Sequence, residues 1–183
     1  MEIEDKYLIL VNKTNKCSKD LNFNIVDVNS RYAQNRYAEE KTFNAFKDFQ
    51  KYALKYGYDI EIESGYRSIE HQQKVFNNCV NQKGLEYAQK YVASPGYSEH
   101  HTGLALDICL LKNDKFIIEH NLPEDFKLFL QNNAHLFGFI IRYPKDKESI
   151  TGYNYEPWHI RYVGSIAKEI YENSLTLEDY LNK

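Results

Sequence analysis

The run "GLALDICL" (103–110) constrains this chain more than any other. In an extended chain, alternate side chains share a face. Leu104, Leu106, Ile108 and Leu110 then make one wholly apolar face, and Gly103, Ala105, Asp107 and Cys109 make the other, all of them small. The first face demands a hydrophobic core against it. The second carries a single carboxylate on a surface kept clear by glycine and alanine, which suits close approach by another group. An aspartate bonded to neighbouring backbone or to an arginine is the plain structural alternative, and the strand alone leaves both open.

Such a strand needs partners and cover. "DIEIES" (59–64) alternates and ends in the turn "SGYRS", and "FIIRY" and "EPWHIRYV" are further strand candidates. "KYLILVNK" reads as a short strand followed by a polar loop through residue 24. From Arg36 to Tyr56, Ala38, Ala45, Phe46, Phe49, Ala53 and Tyr56 recur at mostly three- and four-residue steps, and Gly57 supplies a stop, so an amphipathic helix is expected. Ser68 can cap a helix running to about Asn81, and "GLEYAQKYVA" gives another short one. Pro123 and Gly138 bracket a helix in "PEDFKLFLQNNAHLFG", and Thr176 caps one near the end. No repeat or Gly/Ser linker divides the sequence. The expectation is one domain over 1–183, of α+β class, with helices packed on a mainly antiparallel sheet.

Composition narrows the function classes. With 43% hydrophobic and 27% charged residues in 183, the chain can bury a proper core. A net charge of −3 and no basic stripe argue against nucleic acid as a partner. The apolar runs are too short for a transmembrane segment, and the start lacks the basic and apolar regions of a signal peptide. A cytoplasmic protein is therefore expected from the chain as written, and an extracellular or membrane-associated one if its start was trimmed. Cys17, Cys79 and Cys109 lie far apart with no C-x-x-C spacing, so free thiols are expected.

Three short segments carry candidate chemistry. "SPGYSEHHTG" places two adjacent histidines in a loop before the central strand, and their spacing alone does not decide which could hold a metal. "GYNYEPWHIRYVG" sets Glu156 and His159 three apart with Pro157 between them. Proline forces its predecessor into extended backbone, so this is not the helical H-E-x-x-H arrangement. Arg67 in "SGYRS" stands at a strand-to-helix junction with a fork suited to a carboxylate or a developing oxyanion.

In this order and at these separations, "SGYRS", "SEHHTGLALD" and "EPWHIRYVG" resemble the VanY-type zinc D-alanyl-D-alanine carboxypeptidases. These form one metallopeptidase family (LAS) with the VanX dipeptidases, the dual VanXY enzymes and the L,D-carboxypeptidases. "YLILVNK", "GFIIRYPKDKESITGY" and "LTLEDYL" extend the likeness over most of the chain. The resemblance implies Zn²⁺ held by His100, Asp107 and His159, with Glu156 as general base and Arg67 on anionic oxygen. It further implies Ser98, Gln72 and Tyr143 as substrate-contacting positions. His101 fills a slot where most relatives carry glutamine and reads as a supporting or rim residue. Glu63, Glu99 and His71 read as solvated loop residues, and residues 111–125 as a cover over the cleft.

The implied activity removes terminal D-alanine from D-Ala-D-Ala or from peptidoglycan precursor peptides, with a link to cell-wall metabolism or glycopeptide resistance. An L,D-carboxypeptidase acting on tetrapeptides shares the motifs. A non-catalytic zinc-containing binding module of the Hedgehog type shares the metal arrangement; Glu156 and Arg67 favour an enzyme.

Overall fold

A computed structural model describes residues 5–18 and 21–182. The elements run β1 (Ile25–Asp27), β2 (Tyr37–Glu39), α1 (Glu40–Lys55), β3 (Asp59–Ser64), α2 (Ile69–Lys83), α3 (Leu85–Tyr91), β4 (Ala105–Lys112) and β5 (Lys115–Ile117). They continue with α4 (Glu124–Asn133), β6 (Phe139–Tyr143), α5 (Glu148–Thr151), β7 (Glu156–Tyr162), α6 (Ala167–Glu172) and α7 (Leu177–Leu181). The main sheet is antiparallel in the order β3-β4-β7-β6, with β5 also on β4, and β1 and β2 form a separate ribbon. The α+β architecture with a mainly antiparallel sheet is as expected. Among the described residues, no helix is long and apolar enough to cross a membrane.

The two faces of β4 divide the molecule as their composition demands. Leu106, Ile108 and Leu110 join Ile60, Ile62, Phe139 and Ile160 in a core closed by Phe46 and Phe49 of α1 and by Phe126, Phe129 and Leu130 of α4. Phe49 stacks at 6.1 Å on Phe129 and at 5.1 Å on Phe137; truncating a ring buried this way typically costs about 3–5 kcal/mol. The opposite face carries Asp107, His159 and Arg161. Beside it a second cluster gathers Ile140, Ile166, Ile170 and Leu177 against Leu8 and Leu10.

Three local outcomes differ from the sequence reading. The helix expected from Arg36 starts at Glu40, because Tyr37–Glu39 pair with Ile25–Asp27 and the Glu39 carboxylate caps Thr42 N–H at 2.8 Å. "YLILVNK" does not enter a sheet. The carbonyls of Tyr7 and Ile9 accept from the Arg161 guanidinium at 3.0 and 2.8 Å, so a side chain satisfies backbone that a ladder would otherwise have used. The helix in "PEDFKLFLQNNAHLFG" stops at Asn133 and tightens into a 3-10 turn, Ala134–Phe137, before Gly138.

The remaining boundaries follow their chemistry. Ser68 accepts from His71 N–H at 3.1 Å, and Thr176 and Asp179 form a reciprocal capping box at 3.0 and 2.9 Å. Gly103 adopts φ +73°, where a Cβ would meet Ile25 at 2.7 Å and the Glu39 amide nitrogen at 2.9 Å. Only glycine closes the histidine turn onto the β1–β2 ribbon.

Candidate metal centre

Strand register builds the site. Asp107 on β4 lies directly across from Ser64 on β3 and from His159 on β7. Opposed residues project to the same face, so Asp107 and His159 meet although 52 positions separate them. His100 joins them from the 3-10 turn Glu99–Thr102 just before β4. Asp107 Oδ2 is 3.1 Å from His100 Nε2, and Oδ1 is 3.0 Å from His159 Nδ1. Donor atoms from all three residues lie within 4.8 Å of one another.

The surrounding bonds decide which ring nitrogens face this point. His100 Nδ1–H donates to the Gly65 carbonyl at 2.7 Å, leaving the Nε2 lone pair toward Asp107. A Cβ on Gly65 would overlap the Tyr37 carbonyl, which keeps that acceptor in place. Burial, with help from Arg67, lowers the proton affinity of His100 despite the Asp107 charge. Burial also opposes ionisation of Asp107, but the two imidazoles outweigh it and hold its carboxyl well below the usual range. For His159 burial opposes the cation, yet the nearby carboxylates of Asp107 and Glu99 prevail and push it up to about 9. Two nitrogens and one carboxylate oxygen, brought together out of bulk water, form a donor set suited to zinc with a coordination position left over.

The other candidates line one cleft of about 260 Å³ around this cluster. Glu156 opens β7 opposite Tyr143 of β6. Burial pushes its carboxyl up to about 7; His159 opposes this and Asp107 adds to it. Arg67, just after β3, donates to Gln72 Oε1 and Ser64 Oγ, each at 2.8 Å, and Nη2 lies 3.9 Å from Asp107. Gln72 is 1% exposed and donates to the Ala93 carbonyl at 2.7 Å, so in this structure it braces Arg67. Ser98 lines the cleft, and the Tyr143 ring lies 4.9 Å from that of His159.

His101 faces away from the cluster. Its Nε2 accepts from Gly96 N–H at 3.0 Å and its Nδ1–H donates to the Arg67 carbonyl at 2.6 Å, tying the loop to the arginine junction. Of the segment 111–125, Glu119 and His120 reach the cleft, and His120 meets Trp158 edge-on at 4.7 Å.

Glu99 overturns its expectation as a solvated residue. It is 2% exposed, and one carboxylate oxygen accepts from Arg142 Nε at 2.8 Å and Arg161 Nη1 at 2.7 Å. Burial disfavours its charge, but the two guanidiniums prevail and hold its carboxyl below the usual range. Glu63 is half-buried and pushed up to about 7 by burial and by Asp107, whereas His71 is exposed as expected. A signal for this buried network was present: Arg142 and Arg161 interrupt strands that are otherwise mostly apolar, and Arg161 shares the face of His159. A buried arginine in such a place requires a carboxylate.

Fold and cluster together define a small α+β protein with a His–Asp–His centre set in the sheet. Residues 35–165 match the family model described as VanY, D-alanyl-D-alanine carboxypeptidase. The chain belongs to the VanY D-alanyl-D-alanine carboxypeptidase family.

It is 42% identical over 128 residues to the bifunctional D-Ala-D-Ala dipeptidase and D-Ala-D-Ala carboxypeptidase VanXYC of Enterococcus gallinarum, covering 67% of this chain and 66% of that protein. A crystal structure of a variant of the D,D-pentapeptidase VanY from a VanB-type resistance cassette, in complex with Zn(II), superposes with a TM-score of 0.85 at 33% identity, covering 97% of this chain and 99% of that one. The LD-carboxypeptidase LdcB gives 0.81 at 42% identity, covering 95% and 85%. The chain spans between 45% and 66% of the length of the curated relatives it matches.

Proposed function

We propose that this protein is a zinc-dependent D,D-carboxypeptidase that releases the terminal D-alanine of D-Ala-D-Ala and of peptidoglycan precursor peptides. The observation that carries the reading is the convergence of His100, Asp107 and His159 in a cleft also lined by Glu156 and Arg67. When bound, the ion supplies Lewis-acid polarisation at neutral pH with one coordination position free. Glu156, held near pH 7 by burial, takes the proton of the attacking water on its carboxylate and later returns it to the departing D-alanine amine. Arg67, kept in place by Gln72 and Ser64, binds anionic oxygen as the scissile carbonyl becomes tetrahedral or as the substrate's terminal carboxylate. Ser98 and Tyr143 contact the substrate.

The cleft also extends beyond what a dipeptide fills. Gln72, Val75, Cys79 and Lys83 line it from one stripe of α2, a rise of about 16 Å at 1.5 Å per residue. That length supports action on the end of a longer peptide. Likeness to the LD-carboxypeptidase LdcB supports a second reading, removal of a terminal residue from tetrapeptides. Purified zinc-loaded protein incubated with D-Ala-D-Ala, a UDP-linked pentapeptide and a UDP-linked tetrapeptide should release D-alanine from the first two. Release from the tetrapeptide alone selects the second reading, and no release from any of the three defeats both.

A further inference from the structure

We propose that Glu99 is the positioning residue that fixes the tautomer and orientation of His159, and that Glu178 of the closing helix α7, acting through Arg142, holds Glu99 in place. The inference rests on the assignment of His159 as a metal ligand.

Glu99 immediately precedes His100 and also lines the cleft, its carboxylate buried against Arg142 and Arg161 on the sheet face that carries His159. Its Oε1 takes both arginine bonds. Its Oε2 is buried with no hydrogen-bond partner among the described residues, and so is His159 Nε2. These two atoms face each other at 3.5 Å, slightly beyond good hydrogen-bond length. The other ring nitrogen of His159 points at Asp107. If Nδ1 presents a lone pair to an ion, the ring proton must sit on Nε2, where Glu99 Oε2 is the carboxylate facing it. Metal-bound histidines almost always donate their second N–H in this way.

The support behind Glu99 is continuous. Arg142, fully buried, forks onto Glu178 at 2.8 and 2.7 Å, and Asn12 Nδ2 donates to the same carboxylate at 3.2 Å. Arg161, also fully buried, spends Nη2 on the carbonyls of Tyr7 and Ile9. Two carboxylates therefore balance two guanidiniums, and each arginine is tethered at its far side. Glu99 cannot swing without breaking bonds that reach α7 and the segment before β1. The short capped helix at the chain's end thereby supports the metal centre.

The test is zinc affinity, measured by competition with a chromophoric chelator, for wild type, Glu99→Gln and Glu178→Gln. Glutamine keeps the volume but removes the anionic acceptor. The expected loss is about 10- to 100-fold for Glu99→Gln and smaller, in the same direction, for Glu178→Gln. Long-range nitrogen–proton NMR of the wild-type zinc form should place the His159 ring proton on Nε2, in slow exchange.

Wild-type affinity in a folded Glu99→Gln overturns the role of Glu99, and wild-type affinity in Glu178→Gln overturns the link to α7. Should Glu99→Gln not fold, the wild-type spectrum still decides, because an unprotonated Nε2 refutes the proposal. A wild type that binds no zinc at one equivalent would instead defeat the metal-centre assignment itself.

Discussion

Glu156→Gln should make the metal-free protein more stable at alkaline pH while removing its activity. Burial raises the Glu156 carboxyl from an ordinary 4.5 to about 7. The folded state then holds that proton more tightly than the unfolded state does. Below about pH 4.5 both states are protonated and the group is neutral to stability. As pH rises to 7 the unfolded state ionises first, and stability falls. At about 1.4 kcal/mol per tenfold in proton affinity, the loss has a ceiling of about 3 kcal/mol, and water entering the cleft lowers it to roughly 1–3 kcal/mol. Glutamine fills the same volume without a charge to desolvate.

Urea melts of wild type and variant, with a chelator present, should therefore coincide at pH 4.5 and separate at pH 8 with the variant ahead. Adding zinc should shrink the gap, since a cation close by favours the carboxylate. If the variant is no more stable than wild type at pH 8, Glu156 is not desolvated and its tuning as a base near neutrality loses its physical cause.

Further outcomes follow from the same geometry. Arg67→Ala should lower kcat/KM about 100- to 1,000-fold, as loss of a preorganised oxyanion donor does, with zinc content by metal analysis unchanged. His101→Gln should melt like wild type, because an amide can accept from Gly96 N–H and donate to the Arg67 carbonyl. His101→Ala loses both bonds and should cost about 2 kcal/mol by denaturant titration. Because His159 holds its proton up to about pH 9 in the metal-free protein, zinc must displace it. Apparent affinity should weaken roughly tenfold per pH unit on the acid side, for one proton released; a flat pH profile in chelator competition would contradict this. Gly103→Ala should destabilise the fold in thermal melts, since its Cβ would press on the Glu39 backbone.

Local sequence determined much of this protein. Period-two alternation marked β3 and β4, a three- and four-residue rhythm marked α1, and Ser68 and Thr176 marked helix starts, because these signals are carried by neighbours along the chain. The motifs "SEHHTGLALD" and "EPWHIRYVG" named His100, Asp107 and His159 through resemblance, while the bare spacing of two adjacent histidines could not choose between them.

Tertiary structure alone decided the rest. It turned His100 toward Asp107 through the Gly65 carbonyl and His101 away from it through Gly96 and Arg67. It sent the "YLIL" carbonyls to Arg161 instead of a ladder, and drew Glu99 out of an apparent surface loop into a buried charge network ending at Glu178. A side chain's burial and the partner of its charge depend on residues far off in sequence that the register of β4 and β7 brings close, and no local pattern encodes that register.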